Sequence, residues 1–196
     1  MAHIRLACGD DAPSIIAILK EYIDTPHTLQ YEVPSVSETV AIVEAIKKNY
    51  PILIIEDSDS RVVGYAFARR NLEQMALSWN AELRAFISLS SRGKGFGATV
   101  TSVLIDILKL QNVCNVYSLV SEANPRCESL HNKLGFSLCG TMHKTGFKNG
   151  RWIDMHYYEK RINDVENPES FIPLSAIDDA KIQEILHKAN ETIKDK

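Results

Sequence analysis

Ser90-Ser91-Arg92-Gly93-Lys94-Gly95-Phe96-Gly97-Ala98 decides how this chain is read. Three glycines alternate between an apolar alternating run, residues 81–89, and an apolar run of helical period, residues 95–110. The pattern is strand, tight turn, helix. Glycine tolerates positive φ and lets the backbone approach a ligand closely. The turn then presents unpaired N–H groups at a helix N-terminus, where they hold anions. Arg92 and Lys94 add positive charge to the same cradle, so a phosphate-bearing cofactor is the expected guest.

The loop taken alone admits other readings. Gly93-x-Gly95-x-x-Ala98 fits the dinucleotide fingerprint, but that motif should open the first βαβ unit, with an acid about 20 residues further on. Here some ninety residues precede the loop, and no acid stands at the tip of the next strand before Glu122. A Walker loop needs Ser or Thr after Gly-Lys, and Lys94 is followed by Gly95. An ordinary glycine-rich turn stays open at this point.

The remaining composition narrows the classes. A chain of 196 residues suits one domain with a sizeable core, and 45% apolar and 24% charged residues are ordinary for a globular protein. The net charge of −3 supplies no basic field for nucleic acid. No apolar run approaches the roughly 18 residues that cross a membrane, and no secretory pattern opens the chain. Cys8, Cys114, Cys127 and Cys139 lack metal or redox spacing, so no metal and a cytoplasmic location are expected.

Outward from the loop, the periodicities predict strands at 3–6, 50–56, 61–70, 81–89 and 116–120. Helices are predicted to Ile23, over 38–49 with Ser37 as its cap, over 95–110 and over 125–134. Residues 136–148 and 151–160 form a hairpin on Asn149-Gly150, the strongest short hairpin signal. Ser175-x-x-Asp178 resembles a capping box before a last amphipathic helix. The order predicts an α/β (α+β) fold, a mixed and mostly antiparallel twisted sheet with helices on both faces. The domain is expected over residues 1–162, followed by a C-terminal extension, 163–196.

In that order, Arg92-x-x-Gly95-x-Gly97 resembles the pyrophosphate loop of the GCN5-related N-acetyltransferase (GNAT) superfamily. Asn124-x-x-Cys127-x-x-Leu130-His131-x-x-x-Gly135-Phe136 resembles its later cofactor motif. Trp79-Asn80-Ala81-Glu82 and Gly146-Phe147-Lys148-x-Gly150-x-Trp152-x-Asp154 are similar to the phosphinothricin and methionine sulfone/sulfoximine acetyltransferase branch. The resemblance covers about residues 3 to 162. It implies acetyl-CoA as co-substrate and direct transfer of the acetyl group to the amine of a small amino acid or analogue. It also implies a homodimer. A different amine, such as a polyamine or a protein N-terminus, and a non-catalytic coenzyme A-binding module are the alternatives.

By the same resemblance, coenzyme A lies on Ala85, Phe86 and Ile87 and on Arg92, Gly93, Lys94, Gly95, Phe96, Gly97 and Ala98, with Asn124 on the pantetheine arm. Glu82 is the expected base for the acceptor ammonium, against the plainer reading of a strand carboxylate. His131 fills the i+4 place of the stripe Cys127, Leu130, Leu134. It is expected as general acid or orienting donor, against the plainer reading of a hydrogen-bonded core histidine. Tyr31, Gln74 and Trp79 join Glu82 as expected acceptor contacts. Gln74 and Met75 stand where the family has basic and aromatic side chains, which leaves the acceptor's identity open, as it leaves any substitute role for Arg69 or Arg70.

Overall fold

The computed structural model describes residues 1–121 and 125–193. In chain order the elements are β1 (His3–Leu6), α1 (Ala12–Ile23), α2 (Val36–Ile46), β2 (Ile52–Glu56), β3 (Val62–Arg70), β4 (Asn80–Ile87), α3 (Phe96–Leu110), β5 (Asn115–Ser121), α4 (Pro125–Lys133), β6 (Ser137–Lys148), β7 (Arg151–Arg161) and α5 (Asp179–Thr192). The strands form a seven-stranded sheet in the order β1-β2-β3-β4-β5-β7-β6. Of its neighbouring pairs, β4 and β5 run parallel and the others antiparallel.

Alternation along the central strands divides the core in two. Ala66, Ala68, Ala81, Leu83 and Val116 face α3 and α5, whose Val100, Leu104, Leu108, Ile182 and Leu186 cover them. Ile52, Ile54, Tyr65 and Phe86 point the other way, onto Ile15, Leu19 and Tyr22 of α1 and Val43 of α2. Helices on both faces, with mostly antiparallel pairing, are the architecture expected from the sequence.

Two caps differ from the expected ones. Ser35, not Ser37, starts α2: its hydroxyl accepts from the Glu38 N–H at 3.2 Å, and the Glu38 carboxylate returns to the Ser35 N–H at 2.7 Å. Such a reciprocal box needs the acid three residues after the cap, which only Ser35 has. Asp178 itself caps α5 by accepting from the Ala180 N–H at 3.0 Å, and Ser175 lies in the preceding 3-10 turn. The β6–β7 turn is as expected, with Asn149 and Gly150 both at positive φ.

The C-terminal segment shares the main core. Leu174, Ile182, Leu186 and Ile193 are buried in the α3-side cluster. Gln111, fully buried, donates through Nε2 to the carbonyls of Asn49 at 2.6 Å and Ile172 at 2.8 Å, tying this segment to the end of α3. At the outer edge of β1, the Asn190 amide accepts from the Ile4 N–H at 2.7 Å and donates to the Ile4 carbonyl at 3.0 Å. The apolar stripe of α5 is covered by its own domain. Among the described residues no helix is long and apolar enough to cross a membrane.

Candidate active site

The sheet opens at its centre. β4 and β5 pair from Asn80↔Asn115 to Leu83↔Ser118, after which β4 continues to Ile87 and β5 to Ser121 without further pairing between them. Ala85 lies inside a central strand and is nevertheless exposed, because β5 has parted from it. A slot of this kind leaves backbone groups of β4 available to a ligand.

The glycine loop stands at the mouth of this slot. Gly95 is the N-cap of α3 at φ +91°, and Gly93 has φ +86°, so both occupy the left-handed region that a side chain resists. The first N–H groups of α3 therefore emerge unobstructed at the positive end of its dipole. Gly97 has an ordinary φ. A Cβ there would sit 3.8 Å from Ile87 Cγ1 and 3.8 Å from Leu130 Cδ2, so any side chain at 97 enters the space between β4 and α4. These features fit a pyrophosphate followed by an extended arm that runs into the slot. Arg92 lies over the Tyr22 ring at 4.9 Å, and Lys94 is exposed on the same turn.

The end of β4 is latched to α1. The Tyr22 hydroxyl donates to the Ile87 carbonyl and accepts from the Ile87 N–H at 3.2 Å, and Glu21 accepts from the Leu89 N–H at 2.5 Å. The Ile87 N–H, in the stretch expected to carry coenzyme A, is thus engaged by Tyr22. Phe86 turns into the α1-side core, edge-on to Tyr22 and stacked on Tyr65.

Glu82 and His131 both lie where the strands part, on opposite faces of the sheet. Glu82 points to the α1 side and is buried, and the register Arg69↔Glu82 sets Arg69 beside it. Arg69 contacts Glu82 Oε2 at 2.8 Å through Nη2, and Arg84 contacts Oε1 at 2.6 Å through Nε. Arg70, the other candidate for the missing pocket cation, turns away to the Ser78 hydroxyl at 2.9 Å. On the α3 side, His131 Nδ1 is 2.7 Å from the Cys127 carbonyl and Nε2 is 2.8 Å from the Ser118 hydroxyl. A carbonyl only accepts, so Nδ1 carries the hydrogen, and in the neutral ring Nε2 accepts from Ser118. Burial pushes the imidazole below its ordinary value, against the pull of the Cys127 carbonyl. The ring also stacks on Tyr158, with centroids 4.4 Å apart.

The remaining expected contacts are dispersed. Trp79 spends its ring N–H on the Glu169 carbonyl at 2.7 Å, at the far end of β4 from the glycine loop. Gln74 is exposed ahead of the 3-10 turn Met75–Leu77. Tyr31 is exposed, and its hydroxyl donates to the Phe147 carbonyl. Asn124 lies outside the described residues.

Sequence reasoning passed over Lys148. This side chain is 3% exposed, and its ammonium donates to the Thr28 carbonyl at 2.6 Å and the Gln30 carbonyl at 2.8 Å. Asn149 Nδ2 donates to the Asp24 carbonyl at 2.9 Å, and Ser121 Oγ to the Pro26 carbonyl at 2.6 Å. The β6–β7 hairpin and the end of β5 thereby clasp the 24–31 loop over the Glu82 side of the slot. The only signal in the sequence was the motif Gly146-Phe147-Lys148, which gave no partner. Among the described residues no cluster of metal-ligating side chains occurs.

Known proteins are similar to this chain in sequence and fold. L-methionine sulfoximine/L-methionine sulfone acetyltransferase of Pseudomonas paraeruginosa is 27% identical over 83% of this chain and 95% of its own length. Phosphinothricin N-acetyltransferase of Streptomyces viridochromogenes is 25% identical over 89% of this chain and 96% of its own. Among solved structures, a phosphinothricin acetyltransferase of the GNAT superfamily from Sinorhizobium meliloti, in complex with AcCoA, superposes with a TM-score of 0.83 at 29% identity, covering 89% of this chain and 97% of that one. The model of the acetyltransferase (GNAT) domain matches residues 4–157, which encloses the slot, the glycine loop and both of its flanking polar clusters, and the chain belongs to that family.

Proposed function

We propose that this protein is an acetyl-CoA-dependent N-acetyltransferase acting on the amine of a small amino acid or analogue of the methionine sulfone, methionine sulfoximine or phosphinothricin kind. The observation that carries the proposal is the opening of the sheet beyond Leu83↔Ser118, with a left-handed glycine turn at its mouth and a buried carboxylate at its apex. Similarity over 83% and 89% of the chain to enzymes named for those acceptors supports the choice of substrate class.

Bound acetyl-CoA supplies an activated acetyl thioester. The backbone of residues 93–98 binds its pyrophosphate, and Arg92 and Lys94 add charge there. Exposed Ala85 and the partly buried Ile87 line the path of the pantetheine arm, and Asn124 is assigned to the same arm. Glu82 receives the ammonium proton of the acceptor from the α1 side. His131, whose Nε2 is an acceptor in the neutral ring, holds the Ser118 hydroxyl in place on the opposite face. The orienting role suits this geometry better than direct proton donation. The clasped 24–31 loop forms the outer wall of the acceptor space.

The chain is further proposed to pair as a homodimer through the β6–β7 face, where Leu138, Met142, Phe147 and Trp152 are all exposed. Four free cysteines suit the reducing cytoplasm. Thiol release from acetyl-CoA, measured with methionine sulfone, methionine sulfoximine, phosphinothricin, spermidine and an N-terminal peptide, tests the activity. Turnover confined to the last two transfers the enzyme to another amine class, and tight coenzyme A binding without any turnover removes the catalytic reading. Light scattering tests the dimer.

A further inference from the structure

In the proposed function Glu82 is the acceptor's base, and the role inferred here for its arginine partners rests on that reading. A carboxylate offers about four lone-pair positions. In Glu82 Oε1 accepts from Arg84 Nε at 2.6 Å and Arg69 Nη2 at 3.0 Å, and Oε2 from Arg69 Nη2 at 2.8 Å and Arg69 Nε at 3.1 Å. A carboxylate held in this way has nowhere to receive a proton from an ammonium group. One donor must leave before the base can act.

The two arginines are not equivalent. Arg84 sits two residues along the same central strand, engages Glu82 through Nε alone, and has a side chain 30% exposed. Arg69 lies next to the end of β3, fills three of the four positions, and has a side chain 47% exposed. A half-solvated guanidinium at a strand end has solvent to turn into, and its departure frees Oε2 while Arg84 still holds Oε1. A carboxylate or phosphinate offered in bidentate geometry matches the same guanidinium fork and competes with Glu82 for it.

We propose that Arg69 masks Glu82 in the resting enzyme and that the anionic group of the acceptor draws Arg69 away, so that the contact which binds the acceptor also uncovers the base. Arg84 stays in place and keeps Glu82 aimed. The ammonium proton then passes to the freed Glu82 oxygen, leaving the amine neutral. The acceptor class is thereby set: amines that carry an anionic group near the nitrogen, as amino acids do. Discrimination against amines that lack the anionic group falls in kcat as well as in KM, because such an amine leaves the base covered.

The test compares methionine sulfone with its uncharged carboxamide in wild type and in Arg69→Met, by steady-state thiol release. In wild type the carboxamide should show a kcat lower by at least about tenfold, the scale of a misplaced general base. In Arg69→Met the carboxamide kcat should rise toward that of the acid, while the KM of the acid rises on the order of tenfold through loss of its clamp. Equal wild-type kcat for the two acceptors overturns the proposal. So does a variant slowed equally with both, which would make Arg69 only a structural partner of Glu82. A wild type that acetylates neither acceptor defeats the proposed substrate class instead. The mask is then judged from the nitrogen-15 Nε–H signal of Arg69 with coenzyme A bound. Movement on adding methionine sulfone but not its carboxamide upholds the mask, and an unmoved signal overturns it.

Discussion

Replacing Lys148 with methionine removes an ammonium while keeping most of the side-chain volume. The ammonium donates to two carbonyls, at 2.6 and 2.8 Å, in a place where Lys148 is 3% and Thr28 2% exposed. Hydrogen bonds from a charged donor contribute about 1.5–3 kcal/mol each, so the gross loss is about 3–6 kcal/mol. Desolvation of the ammonium, which also pushes Lys148 below its ordinary value against the charge of Asp24, offsets part of this loss. A net cost on the order of 2–3 kcal/mol remains, because the Thr28 and Gln30 carbonyls lose their donor. For a chain of this length that lowers Tm by about 4–12 °C. The functional effect should be local. Acceptor KM should rise as the 24–31 loop loosens, while coenzyme A affinity, assigned above to the glycine loop beyond the end of β4, should stay near wild type. Calorimetric melting with parallel acceptor and coenzyme titrations checks both parts. A variant that melts within about 1 °C of wild type and keeps its acceptor KM refutes the clasp.

Three further outcomes are expected. Glu82→Gln should lower kcat by roughly 10²–10⁴ and leave acetyl-CoA affinity intact, as read by stopped-flow thiol release and by calorimetry. For His131 the folded state disfavours the protonated ring, so the unfolded chain binds more protons just below pH 6.5 and stability falls as pH drops through that value. His131→Phe should flatten this part of a Tm-against-pH curve, and an unchanged slope would show that the ring is not its source. Gly95→Val, at φ +91°, should lose both stability and coenzyme affinity, whereas Gly97→Val meets only ordinary contacts and should lose affinity alone. Melting curves in the absence of ligand separate the two.

Much of the fold was legible because local signals agreed with one another. The glycine loop, the Asn149-Gly150 turn and the stripes of α1, α3 and α4 each depend on neighbours within a few residues. Where two local signals competed, as between Ser35 and Ser37, the reciprocal partner Glu38 decided, and it lies three residues after Ser35 alone. The candidate site was legible only as a set of residue types. Arg69 meets Glu82 through a cross-strand register 13 residues apart, and Lys148 meets the Thr28 carbonyl across 120 residues. No periodicity encodes either contact. Trp79 shows the converse: it is near Glu82 in sequence, yet its ring N–H is committed to the C-terminal segment.

The Asn190 side chain at the rim of β1 limits how this sheet can grow. One carboxamide answers both the N–H and the carbonyl of Ile4, as a neighbouring strand would, and Arg5 Nη1 takes the Leu6 carbonyl at 3.2 Å. A β-sheet with two bare rims can add chains at either end without limit. Here one rim is stoppered by its own C-terminal helix, and β6 is the other. If the proposed pairing joins the β6 side of one molecule to the β6 side of another, the stoppered β1 rims face outward and the assembly closes at two. A chain that lost α5 would regain a second adhesive end, and its characteristic failure would be filament formation.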